Sequence, residues 1–227
     1  ASGKPTLSFG ARGIATVQLT VFGALFPQHS GHYGNYVPNP AVRLSQLIAS
    51  MKDEGGRVTI PGWYDGITIS DDVKAILRRV PDYEKEINLK KGIAAADKVA
   101  PTYQESLQYP SLNVRGMQSG WVRAERRTII PSTAIAEIDI RLVLESDPER
   151  MINLLRDHIA DQGYHITTGK PTSIERNTHN RIASFTHEIS YRAFRTEFDT
   201  GIGHWLSGAL LKAQGEEPIK IRTSGGS

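Results

Sequence analysis

Two histidines three residues apart, His29 and His32, sit in the stretch "FPQHSGHYGNYVPNP" that runs from Phe26 to Pro40. Imidazoles so spaced could bind a metal, act as an acid–base pair, or merely fill a turn. A metal site needs at least one more His, Asp or Glu converging there, and Gly31 and Gly34 make the segment a loop. The chain has no H-E-x-x-H and no His-x-Asp pair. Glu216-Glu217 could pass for a base and a ligand, but "GEEPIKI" places them in a solvated turn ahead of a strand. Ser30 lacks the strand–turn–helix elbow that exposes a nucleophile. Arg141 follows Glu137 and Asp139 at period two, so a cross-strand charge ladder and a binding role are both open to it.

Composition narrows the classes further. The chain has 227 residues, of which 39% are hydrophobic, enough for one sizeable core or for a domain plus part of another. Lys and Arg number 27 against 24 Asp and Glu, and they are scattered, with no basic run interleaved with aromatics to suggest a nucleic-acid surface. No apolar run approaches the length of a membrane span, and the start carries no signal-peptide pattern. Cysteine is absent, which removes disulfides, thiol nucleophiles and Cys-based zinc sites and leaves the compartment undecided. Ala1-Ser2-Gly3 and the closing "TSGGS" read as the ends of a piece cut from a longer chain.

The elements that must position these residues show in the apolar periodicity. In "GIATVQLTVF" (Gly13–Phe22), Ala15, Val17, Leu19 and Val21 share one face of a strand. Asn39-Pro40 opens a helix with Leu44, Leu47, Ile48 and Met51 as its stripe, and Gly55-Gly56 is expected to end it. "RVTIPGWYDGI" (Arg57–Ile67) reads as a short strand leaving into a turn, and Ser70 to Tyr109 as helical pieces. Strand patterns return at Leu112–Val114 and at Ala134–Val143, and Asp147-Pro148-Glu149 opens a second helix with Met151, Leu154, Leu155 and Ile159 inward. A polar strand-and-loop stretch follows from Tyr164 to about Phe194, then a helix near Gly201–Ala213, a stop at Gly215 and the strand "PIKIRT". The order β-α-β…β-α-β predicts an α+β fold: a two-layer sandwich of an antiparallel sheet and two main helices, ferredoxin-like, plus a C-terminal βα fragment of another sheet. From its residues alone, this is a domain without a complete active site.

Five segments in order resemble the M20 metallopeptidases, in particular the carnosinase-like dipeptidases: "KPTLSFGARG" (Lys4–Gly13), "HSGHYGN" (His29–Asn35), "NPAVRLSQLIASMKDEGGRVTIPGWYD" (Asn39–Asp65), "RTIIPSTAIAEIDIRLV" (Arg127–Val143) and "RTSGGS" (Arg222–Ser227). The resemblance implies a lid and dimerisation domain at 13–194, between catalytic-domain flanks at 1–12 and 195–227. The parent would hydrolyse a peptide or N-acyl amide bond with two metal ions, zinc foremost, whose ligands would lie outside this sequence, leaving this piece inactive alone and without a cofactor. His29 matches the lid histidine that reaches the partner subunit's site and steadies the oxyanion of the scissile carbonyl. Thr128 and Arg141 match substrate-binding residues, a guanidinium fork suiting a terminal carboxylate, and Ser227 matches the substrate-touching serine of "GGS". His32 lies outside the motif. The implied partners are a second copy of the chain and a small peptide or N-acyl amino acid, with neither nucleic acid nor membrane. The competing expectation is a non-catalytic dimerisation or binding module that keeps the lid fold.

Overall fold

The computed structural model describes residues 4–81 and 83–222. Two short strands, β1 (Thr6–Ser8) and β2 (Gly10–Ala11), lead into β3 (Gly13–Phe22), where Ala15, Val17, Leu19 and Val21 are buried while Thr16, Gln18 and Thr20 are not. The expected strand is therefore present to the residue. A two-residue strand, β4 (Gln28–His29), and a single helical turn, α1 (Ser30–Tyr33), form the histidine loop.

Helix α2 (Pro40–Ala49) starts as its sequence dictates. Asn39 Oδ1 accepts the Ala41 N–H at 2.9 Å, and Pro40 occupies the first turn, where a missing N–H costs nothing. It ends at Ala49, well short of Gly55-Gly56. The Ser50 hydroxyl donates to the Leu47 carbonyl at 2.7 Å, and Met51 is buried in the turn beyond. The strand expected at Arg57–Ile67 is replaced by one isolated bridge, Lys52 to Val58, followed by turns. There the Val58 N–H donates to the Tyr64 hydroxyl at 2.8 Å and Trp63 is buried, so side chains satisfy the backbone and fill the core in place of a ladder.

The polar stretch is helical in pieces, as expected: α3 (Asp71–Leu77), α4 (Glu84–Lys91) and α5 (Tyr103–Ser106). Next come β5 (Ser111–Gln118), β6 (Ile129–Ile130) and β7 (Thr133–Leu142). Helix α6 (Pro148–Asp161) follows, capped by Asp147 Oδ1 accepting the Arg150 N–H at 3.0 Å. The remaining elements are β8 (His165–Thr167), α7 (Ser173–Thr178), β9 (Ile182–Tyr191), β10 (Phe194–Arg195), α8 (Gly201–Gln214) and β11 (Ile219–Ile221).

One five-stranded sheet, in the order β5-β7-β3-β9-β8, carries the fold. All its pairs are antiparallel except β8 with β9, which is parallel. Without β8 this is the order of a βαββαβ sandwich, and helices α2 and α6 contribute Leu44, Leu47, Met151, Ile152, Leu155 and Ile159 to a core with the inward side chains of β3 and β7. Each such fully buried aliphatic side chain contributes about 1.5–3 kcal/mol of burial free energy. The expected two-layer α+β sandwich is thus present, with a parallel edge added. The opposite face of the sheet is polar.

Both ends of the described chain meet in a second, smaller cluster. Strand β1 pairs in parallel with β11, β2 pairs with β10, and Phe9 stacks edge-on against Phe198 at 4.9 Å between ring centres. Ile69, Val73 and Leu77 of the α3 region pack there too. Backbone approach at the crossing is close: a Cβ on Gly13 would lie 2.5 Å from the Ala193 nitrogen and 2.6 Å from the Tyr191 oxygen, so no larger residue fits without moving main chain. No helix among the described residues is long and apolar enough to cross a membrane.

Candidate functional site

The histidine loop grows from the end of the sheet where β3 leaves and β7 enters. The Gly23 N–H donates to the Ser132 carbonyl at 2.8 Å, and the Gly23 carbonyl accepts from Arg176 Nη1 of α7 at 2.9 Å. Beyond this anchored point, β4 pairs with β6, with His29 opposite Ile129. The Ser30 N–H then donates to the Thr128 carbonyl at 3.2 Å. His29 and Thr128, separated by almost a hundred residues, are therefore brought side by side on one exposed rim.

The loop also sets the chemistry of the imidazole. The Gly31 N–H donates to His29 Nδ1 at 3.0 Å, so Nδ1 is an acceptor and a neutral ring must carry its proton on Nε2. A Cβ on Gly31 would lie 2.9 Å from His29 Cε1, so a larger residue there would push the imidazole out of this position. The His32 ring stands 4.7 Å from that of His29 at 43°, a neighbour that buttresses the ring. Beside the rim is a cleft of about 260 Å³ lined by Pro27, Trp121, Ile129, Pro131 and Ile135. Arg127 stacks on Trp121 at 4.3 Å from the ring centre.

Arg141 lies at the other end of β7. Its ladder neighbours are Ile14 of β3 and Ser111 of β5, whereas the histidine end begins at Thr133. Eight residues of strand at roughly 3.4 Å each separate Arg141 from Thr133 by about 27 Å. Arg141 Nε pairs with Asp139 Oδ2 at 3.4 Å, and Asn113 Nδ2 donates to the same carboxylate at 2.8 Å. Asp139 and Arg141 thus pair along one strand, and the cross-strand contacts fall to Glu137, which is held by Gln18 of β3 at 2.8 Å and Arg115 of β5 at 3.5 Å. The sequence reading missed Arg12, whose Nη2 donates to the Tyr109 carbonyl at 2.8 Å and the Ser111 hydroxyl at 3.2 Å. Burial, and then the like charge of Arg141, lower its affinity for a proton to a pKa of about 10. The only sequence signal for it is a lone cation wedged between small residues in "GARG". Ser227 lies outside the described residues.

Among the described residues no group of three or more His, Asp or Glu could hold a metal ion. Glu216 is exposed and pairs with Lys4 at 3.7 Å, as its turn context suggests. The described side chains therefore do not fit the two zinc ions that the resemblance implies.

The peptidase dimerisation domain of the M20 group matches residues 9–167. The chain belongs to the M20 peptidase dimerisation domain family. Relatives of this M20 domain include the Cys-Gly metallodipeptidase of Saccharomyces cerevisiae, 27% identical over 158 residues that make up 68% of this chain and 33% of that protein. The human Beta-Ala-His dipeptidase is 27% identical over 217 residues, 87% of this chain and 40% of its own length. The M20 chain here thus spans roughly a third to two-fifths of the length of these two relatives. Among solved structures, an M20 family metallo-carboxypeptidase from Sulfolobus solfataricus superposes with a TM-score of 0.78 at 26% identity, covering 98% of this chain and 47% of that one. The Saccharomyces cerevisiae dipeptidase shares the fold at a TM-score of 0.76 and 21% identity, over 99% of this chain and 45% of that one.

Proposed function

We propose that this M20 domain is the lid and dimerisation segment, residues 13–194, of a metal-dependent peptide hydrolase, with 1–12 and 195–227 as flanks returning to a catalytic domain. Its substrates are small peptides or N-acyl amino acids, in keeping with relatives named as dipeptidases. His29 and Thr128 act on the substrate held by the partner subunit, whereas Arg141 and Ser227 act on the substrate of their own.

One observation carries this reading: the separation of His29 and Thr128 from Arg141 along the sheet. A dipeptide spans about 7 Å even when extended, against about 27 Å along β7. No small peptide touches both ends within one protomer. A two-fold dimer, in which the histidine end of one copy meets the Arg141 end of the other, unites them. Exposed apolar side chains gather at the histidine end, with Phe26, Tyr36, Met117 and Val122 all more than half exposed, and β5 leaves an unpaired edge beside them. Light scattering should give twice the chain mass, and a monomer at high concentration would contradict the pairing.

In this arrangement His29 Nε2–H donates to the carbonyl oxygen as it gains charge, a contact that strengthens toward the transition state. Arg141 grips the substrate carboxylate in ground and transition states alike. Arg141→Ala in the full-length dimer is therefore expected to raise KM for free-carboxylate peptides by about tenfold or more, with kcat little changed. A fall in kcat at unchanged KM would contradict the assignment.

A further inference from the structure

Arg12 is only 8% exposed, and its Nε is buried without a hydrogen-bond partner among the described residues. Its Nη2 holds Ser111, the residue directly opposite Arg141 in the β5–β7 ladder. Ile14, two residues beyond Arg12, faces Arg141 from the other side. The carboxylate in this group is that of Asp139, itself 5% exposed and already engaged by Asn113 and by Arg141 Nε. The Asp139 carboxylate thus pairs directly with Arg141 alone and reaches Arg12 only as a more distant charge, while the buried Arg12 feels the like charge of Arg141. Like charges so placed repel, and an incoming anion relieves the repulsion.

We propose that Arg12 is a positioning residue for a carboxylate subsite at Arg141: it fixes the β5 end through Ser111 and Tyr109, and it adds a second, immobile positive charge behind Arg141 that selects substrates with an anionic terminus. The inference rests on the role assigned above to Arg141. Arg12 acts through its neighbours, since the orphaned Nε is sealed from solvent and two acceptors already occupy Nη2. A lysine there keeps the charge, but its shorter side chain places the ammonium short of the Nη2 position that serves both acceptors.

The test compares a peptide bearing a free C-terminal carboxylate with its C-terminal amide, using the full-length dimer. For Arg12→Gln, KM for the acid should rise about tenfold while kcat and the kinetics on the amide stay within about twofold. Arg12→Lys should raise it about threefold with the same selectivity. Equal changes on acid and amide, or no change in a folded variant, would overturn the proposal. Should Arg12→Gln fail to fold, the acid-to-amide contrast in Arg12→Lys decides by the same criterion. A preference for the acid that is lost in Arg141→Ala but kept in both Arg12 variants would sink this inference alone. A wild-type enzyme indifferent to the carboxylate would sink the Arg141 assignment and this inference with it.

Discussion

Replacing His29 by alanine in the full-length dimer is expected to lower kcat by about a hundredfold or more, with KM and fold nearly unchanged. The reason is local. Nδ1 is occupied by the Gly31 N–H, so the ring presents Nε2–H outward from an exposed rim with no cavity to collapse on truncation. A donor poised for charge that exists only in the transition state contributes to kcat rather than to substrate binding. His32→Ala should cost far less, because its ring touches His29 only from the side. Steady-state kinetics on the two variants, with circular dichroism to verify the fold, would check this. A rise in KM at full kcat for His29→Ala would show the imidazole to be a ground-state contact.

The largest stability effect is expected at Asp139. Its carboxylate, 5% exposed, neutralises part of the charge on Arg12 and Arg141 and accepts from Asn113. Asp139→Asn keeps the shape and removes the charge, leaving Arg141 without its ion-pair partner and the buried Arg12 with one compensating charge fewer. Removing one partner of a buried pair costs about 3–5 kcal/mol, and since the Arg141 side chain keeps 32% of its exposure, the expected loss here is about 2–3 kcal/mol. Urea unfolding of the chain, read as a drop in midpoint at constant slope, would measure it. A shift under about 0.5 kcal/mol would mean that the two guanidinium groups are already satisfied by solvent.

Much of the scaffold was legible because it is written locally. Asn39-Pro40 and Asp147-Pro148 announce helix starts through cap chemistry, and the strict alternation of β3 and β7 follows from one buried face. Where tertiary packing decides, the pattern was silent or misleading. Trp63 and the Tyr64 hydroxyl replace a strand that Arg57–Ile67 only resembles, and β9 hides because only Ile182, Ala183 and Phe185 of it are buried, leaving its second half without an apolar alternation. The pairing of β1 with β11 joins the two ends of the described chain, a contact no local rule can forecast. For the site, the resemblance supplied His29, Thr128 and Arg141, but a list of residues carries no distances. That two of them share a rim while the third stands at the far end of the sheet emerges only from the ladder register.

That separation is what the account stands on, and subunit mixing probes it most directly. His29→Ala protein, inactive through its lid, is combined with a full-length variant inactive through its metal centre, and heterodimers are isolated. If His29 serves the partner, one site in each heterodimer combines an intact catalytic centre with an intact histidine from across the dimer, so each heterodimer should recover about half the activity of wild type. Heterodimers that remain as inactive as either parent would place His29 in its own subunit's chemistry, or outside the chemistry, and would contradict the account.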